Sequence, residues 1–346
     1  MSVNERPGVY SSYEVTSALY GSGVGRAVGV AACAAAGTKG EVRAFTGYSE
    51  AAAAYGPGSN LAKLARILLE NGAPMIYAVP VVTSGTAAQS DYAAAFAALM
   101  QEANVGCMVC DSQTALVHKS MRDAILSGTE MTKYRIGVVE QPGTASALGS
   151  AAAALNCERM VIVGNAVTGG VPGGVAAAVA GVIAGSGDPA LPLNGAPLKG
   201  LGALAGNFTD GEVSTLIQSG VTPVEVIGGD VTVVRGVTTR TKTGDVPDAT
   251  WRDLNTILIV DDVLPAVRNS LRTRFARTKN TAQTRGAIRT QVIIELESKR
   301  SAEIIDGYSG VTVAADETDP AVCLVSFAFT VAHGLSRIEL MAHITV

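Results

Sequence analysis

Charge is scarce in this sequence. Asp, Glu, Lys and Arg make up 16% of its 346 residues, while hydrophobic residues make up 48%. A surface that keeps a monomer dissolved usually carries more charge. The composition therefore suits a subunit partly covered by neighbours, or an Ala- and Gly-rich monomer. Aromatics are 5%, which leaves few platforms on which bases could stack. With a net charge of −4, a general nucleic-acid binder is not expected. The five cysteines are an odd number in a long chain, which argues against a disulfide framework. No stretch approaches the roughly 18 consecutive apolar residues of a membrane helix; the run Val171 to Ile183 is broken by Pro172, Gly173, Gly174 and Gly181. Direct insertion into a membrane is not expected. The segment Met1 to Pro7 has neither the basic nor the apolar region of a signal peptide, so synthesis in the cytoplasm is expected.

Signatures of chemistry are equally thin. Only His118, His333 and His343 could serve as histidine bases. Neither a GxSxG elbow nor an HExxH helix is present. Cys107 and Cys110 form a lone CxxC inside the apolar run Val105 to Cys110. That run reads as a buried strand, whereas a redox pair needs a helix N-terminus to lower its thiol pKa. Without a second CxxC, no zinc site is completed. Asp111-Ser112-Gln113-Thr114 faintly resembles a metal-binding DxSxS loop, with Gln113 where the second Ser should stand. Gly21-Ser22-Gly23-Val24-Gly25 lacks GxGxxG spacing and precedes a strand instead of following one. Gly169 to Gly174 does lie between a strand and a helix, but Pro172 removes an amide that a phosphate cradle would use. No catalytic residue, cofactor or metal is expected; the alternative is a Rossmann-like enzyme that binds a small molecule.

What the sequence does have is alternation. Apolar strands are predicted at Arg26–Ala34, Met75–Val79, Val105–Cys110, Tyr134–Val139 and Arg159–Val163. Between them lie helices at Ser49–Tyr55, Leu61–Asn71, Ser90–Ala103, Thr114–Leu126, Thr144–Leu155 and Gly174–Ala184. Continuous apolar strands alternating with helices predict an α/β domain, a Rossmann-like parallel sheet covered on both faces, over residues 26–187. The Pro- and Gly-rich stretch 185–206 marks a boundary. Beyond it, residues 188–330 read as an α+β domain with an antiparallel sheet. Its expected parts are a short helix over 210–219, a hairpin of Val224–Ile227 with Val231–Thr239, helices at 254–277 and 284–299, and strands at 311–313 and 322–331.

Both ends read as extended arms. In residues 331–346, Ile338, Leu340, Ala342, Ile344 and Val346 fall on one face of a strand and Arg337, Glu339, Met341, His343 and Thr345 on the other. In residues 1–25, Val9, Tyr10, Tyr13 and Val15 belong to a β-branched and aromatic segment, followed by a hinge at Gly21, Gly23 and Gly25. A patterned terminal strand needs a sheet edge to pair with, in its own chain or another.

Basic residues are also grouped. From Pro265 to Val292 there is no acidic residue, while Arg268, Arg272, Arg274, Arg277, Lys279, Arg285 and Arg289 crowd the same stretch. This suits a solvated helix face that complements the helix dipole, or a surface for an acidic partner.

Three stretches carry a resemblance: Arg6-Pro7-Gly8-Val9-Tyr10, Gly228 to Thr239, and Trp251 to Thr256 running into Ile259 to Val263. The chain resembles the tail sheath proteins of contractile-tailed bacteriophages and phage-tail-like bacteriocins (tailocins), most strongly over residues 205–346 and the first fifteen. The resemblance implies a structural protein that stacks as hexameric rings into a helical sheath around an inner tail tube. It also implies contraction that drives the tube through a cell envelope, as in a contractile injection system. Arms at both ends would complete the sheets of neighbouring copies. The implied partners are the chain itself, the inner tube protein, and baseplate and tail terminator proteins, with no nucleic acid. The implied location is a virion tail or phage-tail-like particle assembled in the bacterial cytoplasm. In that family a helix of the C-terminal domain meets the tube, which makes Arg268, Arg272, Arg274, Arg277 and Lys279 the expected tube contacts.

Overall fold

Nine strands hydrogen-bond into one mixed sheet in the computed structural model, which describes residues 27–335 and Met341. The arm and hinge residues Val9, Tyr10, Tyr13, Val15, Gly21, Gly23, Gly25, Ile338, Leu340, Ala342, Ile344 and Val346 lie outside the described residues. The sheet's central strands are β1 (Ala27–Ala32), β3 (Ile76–Pro80), β4 (Val105–Cys110), β5 (Ile136–Gln141), β6 (Met160–Gly164) and β8 (Val221–Ile227). They run parallel, β1 lying between β3 and β4. Antiparallel strands finish both sides. These are β2 (Arg43–Phe45) on β3, then β9 (Asp230–Val233) on β8 and β7 (Pro197–Leu198) on β9. The sheet is thus mixed rather than wholly parallel.

Period-two alternation sorts the strand side chains between two cores. Val28, Val30, Ile76, Ala78, Val109, Val138 and Val163 enter one core with α1 (Tyr48–Tyr55), α2 (Asn60–Glu70) and α6 (Gly174–Gly185). Ala31, Val79, Met108, Val139 and Ile162 enter the other. There they meet α3 (Gln89–Leu99), α4 (Ala115–Glu130), α5 (Ala145–Leu155) and α7 (Asp210–Gln218). Burial on both faces is why these strands read as unbroken apolar runs. Helix α6 is apolar on nearly every side and is sandwiched between the sheet and α2. Its approach to α2 depends on Gly181, where a Cβ would come within 2.7 Å of the Asn71 Cβ.

The hairpin expected in the second domain belongs to this first sheet. β8 pairs with β6 in parallel, Ile162 opposite Val221, so the boundary expected after residue 187 does not separate the sheets. The hairpin's own alternation gave no hint of this, because it records burial and not which sheet provides it. Residues beyond the hairpin are pinned to the same sheet by Thr222, whose hydroxyl bonds both the N–H and the C=O of Val237 at 3.0 Å. A small hairpin, β10 (Lys242–Thr243) with β11 (Val246–Pro247), follows and docks on Asn156. The Asn156 side chain bonds the N–H and the C=O of Lys242.

The second layer is a helix pair with a β-hairpin. Helix α8 (Leu254–Phe275) divides its faces. Leu254, Ile257 and Leu258 enter the sheet's first core. Ile259, Val263 and Val267 form a separate core with Val292 and Leu296 of α9 (Ala282–Ser301), and with Ile305 and Val311 of β12 (Ile305–Ala315). Strand β12 is longer than the expected 311–313 and pairs antiparallel with β13 (Cys323–Val331).

Candidate functional site

Three places could carry function: the crevice at the carboxyl ends of the parallel strands, the basic helix pair, and the β12–β13 hairpin. In an open α/β sheet a ligand sits where the strand order reverses. Here that point lies between β1 and β4, and the chain's own side chains fill it. Asp111, one residue past β4, accepts from the Tyr92 hydroxyl at 2.6 Å, from Asn60 Nδ2 at 2.8 Å and from the Cys33 N–H at 3.0 Å. These bonds join β1, α2 and α3 at a single carboxylate. Asp111 therefore has three internal donors at the position where a metal-binding loop was considered. Among the described residues no three His, Cys, Asp or Glu side chains are grouped to hold a metal ion.

The Gly-rich loop before α6 is occupied in the same way. Amides at a helix N-terminus attract an anion, and here the anion is Glu140, at the end of β5. Its carboxylate accepts from the Val175 N–H and from Gln113 Nε2, both at 2.8 Å. Burial raises its pKa above the ordinary carboxylate range, and the amide and Gln113 bonds draw it back. The position a phosphate would take is filled by protein. His118 is buried on α4 with its Nε2 2.9 Å from the Ser112 carbonyl, so Nε2 carries the proton. Its Nδ1 is buried with no partner. Burial pushes the thiols of Cys107 and Cys110 up to about 12, against redox use of that pair. Beside the loop, a cavity of about 280 Å³ lies between Ile67, Val171 and Leu201, with Lys63 and Arg66 at its rim. Arg66 is paired with Glu70 at 2.7 Å.

The helix pair carries the basic run. Arg272, Arg274, Arg277 and Lys279 are exposed. The Arg268 guanidinium donates to the Tyr134 hydroxyl at 2.8 Å and lies 5.4 Å from the centre of that ring. The same ring has Arg159 at 4.9 Å. Arg159 in turn makes a bidentate pair with Asp261 of α8, at 2.5 and 2.7 Å. Tyr134, Arg159 and Asp261 hold α8 on the sheet, and sequence reading missed all three. The available signal was Asp261, a lone acid on the apolar stripe of a helix, which implies a buried cation.

The β12–β13 sheet has two strands among the described residues, so both outer edges lack a partner strand there. One face of β13 presents Val325, Phe327, Phe329 and Val331 to the α8–α9 core, all only partly buried. Phe327 and Phe329 stack with centroids 6.3 Å apart.

Two family models match the sequence one after the other, from residue 85 onward. The phage tail sheath protein central domain matches residues 85–239, and the phage tail sheath C-terminal domain matches residues 246–345. No curated protein matches in sequence. Among solved structures, a chain of the anti-feeding prophage baseplate is similar with a TM-score of 0.75 at 15% identity, covering 99% of this chain and 100% of that one. The anti-feeding prophage helical sheath in its contracted state gives 0.74 at 14%, with 99% of each chain covered. A sheath tail protein from Desulfitobacterium hafniense gives 0.72 at 12%, covering 94% of this chain and 100% of that one. With its central and C-terminal domains both matched, the chain belongs to the phage tail sheath protein family, as a structural subunit of a tail sheath.

Proposed function

We propose that copies of this chain stack as hexameric rings into a helical sleeve around an inner tube, and that the sleeve contracts to drive the tube through a cell envelope. The observation that carries this reading is the β12–β13 hairpin, a sheet of two strands among the described residues with its inward face only half covered. Such a hairpin gains backbone hydrogen bonds and buried apolar area when further strands join its edges. The strands proposed to join are the arms of neighbouring copies, carrying Val9, Tyr10, Tyr13 and Val15 at one end and Ile338, Leu340, Ala342, Ile344 and Val346 at the other. Gly21, Gly23 and Gly25 then let the body rotate while its arm stays paired. Contraction is a change between two discrete packings of the same interfaces, the contracted one lower in free energy.

The basic run of α8 faces the inner tube in this reading. Its exposed charges make weak contacts that salt screens, which suits a sleeve that must slide off. Baseplate and terminator proteins cap the two ends of the sleeve, and the particle assembles in the cytoplasm of the bacterial host. We assign the filled crevice at Asp111 and Glu140 a structural role, since an entering ligand would have to displace buried, hydrogen-bonded carboxylates. The direct test is negative-stain electron microscopy of the purified chain expressed alone and together with its tube protein. Long hollow cylinders of stacked rings are expected. Uniform small particles in both preparations would overturn the sleeve.

A further inference from the structure

We infer that the cavity between α2 and the loop before α6 binds a small amphiphilic monoanion, a carboxylate carrying an apolar tail, with Lys63 holding the charged end. The site belongs to the nine-stranded half of the molecule and does not depend on the sleeve. Its volume is about 280 Å³, room for roughly nine groups of water size at ~30 Å³ each. Ile67, Val167, Val171 and Leu201 give it apolar walls, and Lys63 and Arg66 of α2 stand at its rim. Arg66 is already paired with Glu70. The exposed Lys63 ammonium has no hydrogen bond or ion pair among the described residues, so one positive charge is open to a ligand. Among those residues no acidic side chain lines the cavity. A single open cation above apolar walls suits a monocarboxylate with a hydrocarbon tail. A sugar would leave hydroxyls unpaired against Ile67 and Val171. A phosphate monoester, with nearly two charges, would call for the second cation that Glu70 already holds.

The walls are fixed before any ligand arrives. Asn71, buried at the end of α2, accepts from the Lys199 N–H at 2.8 Å and donates to the Lys199 carbonyl at 2.9 Å. Those bonds pin the loop that carries Leu201. The opposite loop is tied to it through the Thr168 N–H on the Ala203 carbonyl at 2.9 Å and the Ala205 N–H on the Ala166 carbonyl at 2.8 Å. A ligand entering between such walls orders little of the chain, which favours binding. Gly174, the first residue of α6, is what leaves the interior open. A Cβ there would lie 3.3 Å from Val171 Cγ1, 3.5 Å from Ile67 Cδ1 and 3.9 Å from Leu201 Cδ2. It would meet three of the four apolar walls at once, so a side chain at this position occupies the space that the tail would take.

Isothermal titration calorimetry of the full chain with octanoate, hexanoate and octanol tests the site. Octanoate should bind saturably, one molecule per chain. Hexanoate should bind about fifteenfold more weakly, since each buried methylene contributes about fourfold. Lys63→Glu, on the exposed side of α2, should weaken octanoate about tenfold at low salt and leave octanol within about twofold. Gly174→Leu should weaken both probes at least about tenfold by filling the interior. If that variant melts well below the native chain, the Lys63→Glu comparison decides alone. Failure of octanoate to saturate below about 10 mM would overturn the site. So would unchanged binding in Gly174→Leu at the native melting temperature, which would put the ligand elsewhere. Equal responses of octanoate and octanol to Lys63→Glu would overturn the recognition of charge by Lys63.

Discussion

Arg159 and Asp261 stand 102 positions apart and meet through two hydrogen bonds, with side chains only 4% and 0% exposed. The pair joins the start of β6 to the middle of α8, and therefore the large sheet to the helix pair. Removing either partner leaves a buried charge without its counter-ion, which costs about 3–5 kcal/mol. Asp261→Asn or Arg159→Leu should show that loss in guanidinium denaturation. Arg159→Met combined with Asp261→Leu should recover most of it, since apolar groups of similar volume need no partner. Equal losses in the single and double variants would mean that the site contributes by shape and not by charge.

Gly173 precedes α6 at φ +79°, and a Cβ there would lie 2.2 Å from the Cys110 carbonyl oxygen. That overlap is with backbone, so α6 would have to move away from Glu140. Gly173→Ala should cost more than about 3 kcal/mol by combining left-handed strain with overpacking. Gly169, at φ +65°, has open space around its Cβ position. Gly169→Ala should cost only about 1–2 kcal/mol from the backbone alone. Denaturation of the two variants side by side separates close packing from conformation, and comparable losses would remove the argument from packing.

His118 gives stability a pH dependence of known sign. Burial holds its pKa below the ordinary histidine value, because a second proton would sit on the buried, partnerless Nδ1. The unfolded chain therefore binds a proton near pH 6.5 that the folded chain refuses. Stability from this group is complete above about pH 6.5 and falls with acidification, by at most about 1.4 kcal/mol per pH unit, until the folded pKa is reached. His118→Gln keeps a donor for the Ser112 carbonyl and cannot titrate. Its unfolding free energy should fall less steeply than the native chain's between pH 7 and 5. Parallel slopes would show that His118 titrates alike in the folded and unfolded chain.

Local patterning made the elements legible and left their assembly obscure. The apolar runs at 105–110 and 160–164, and helix α6, were readable because burial on both faces leaves an unmistakable composition. The three-residue β2 and the two-residue β7 were not, since neither is long enough to establish a period. The hairpin at 221–233 was visible as a hairpin, yet its partner strand was not, because pairing with β6 depends on long-range register. Likewise the basic run was plain in the sequence. That Arg268 is engaged by Tyr134, 134 positions away, could be read only from the structure. Separation along the chain, more than residue type, set the limit.

The terminal segment offers the sharpest test of assembly. Its alternation places Ile338, Leu340, Ala342, Ile344 and Val346 on a single face, a pattern that is useful only against another strand. Among the described residues the β12–β13 hairpin has unpaired edges, and the half-covered Phe327 and Phe329, to receive one. Deleting residues 338–346 takes no residue from the three described cores, so the melting temperature of the isolated chain should move by less than about 3 °C. The truncated chain should stay soluble and form no tubes under conditions where the full chain forms them. A synthetic peptide spanning residues 337–346, added in excess, should occupy the hairpin edge and shorten the tubes of the full chain. Tubes of normal length from the truncated chain would show that ring-to-ring linkage does not depend on this arm, and the linkage would then have to be sought on the outer sides of the helices that cover the nine-stranded sheet.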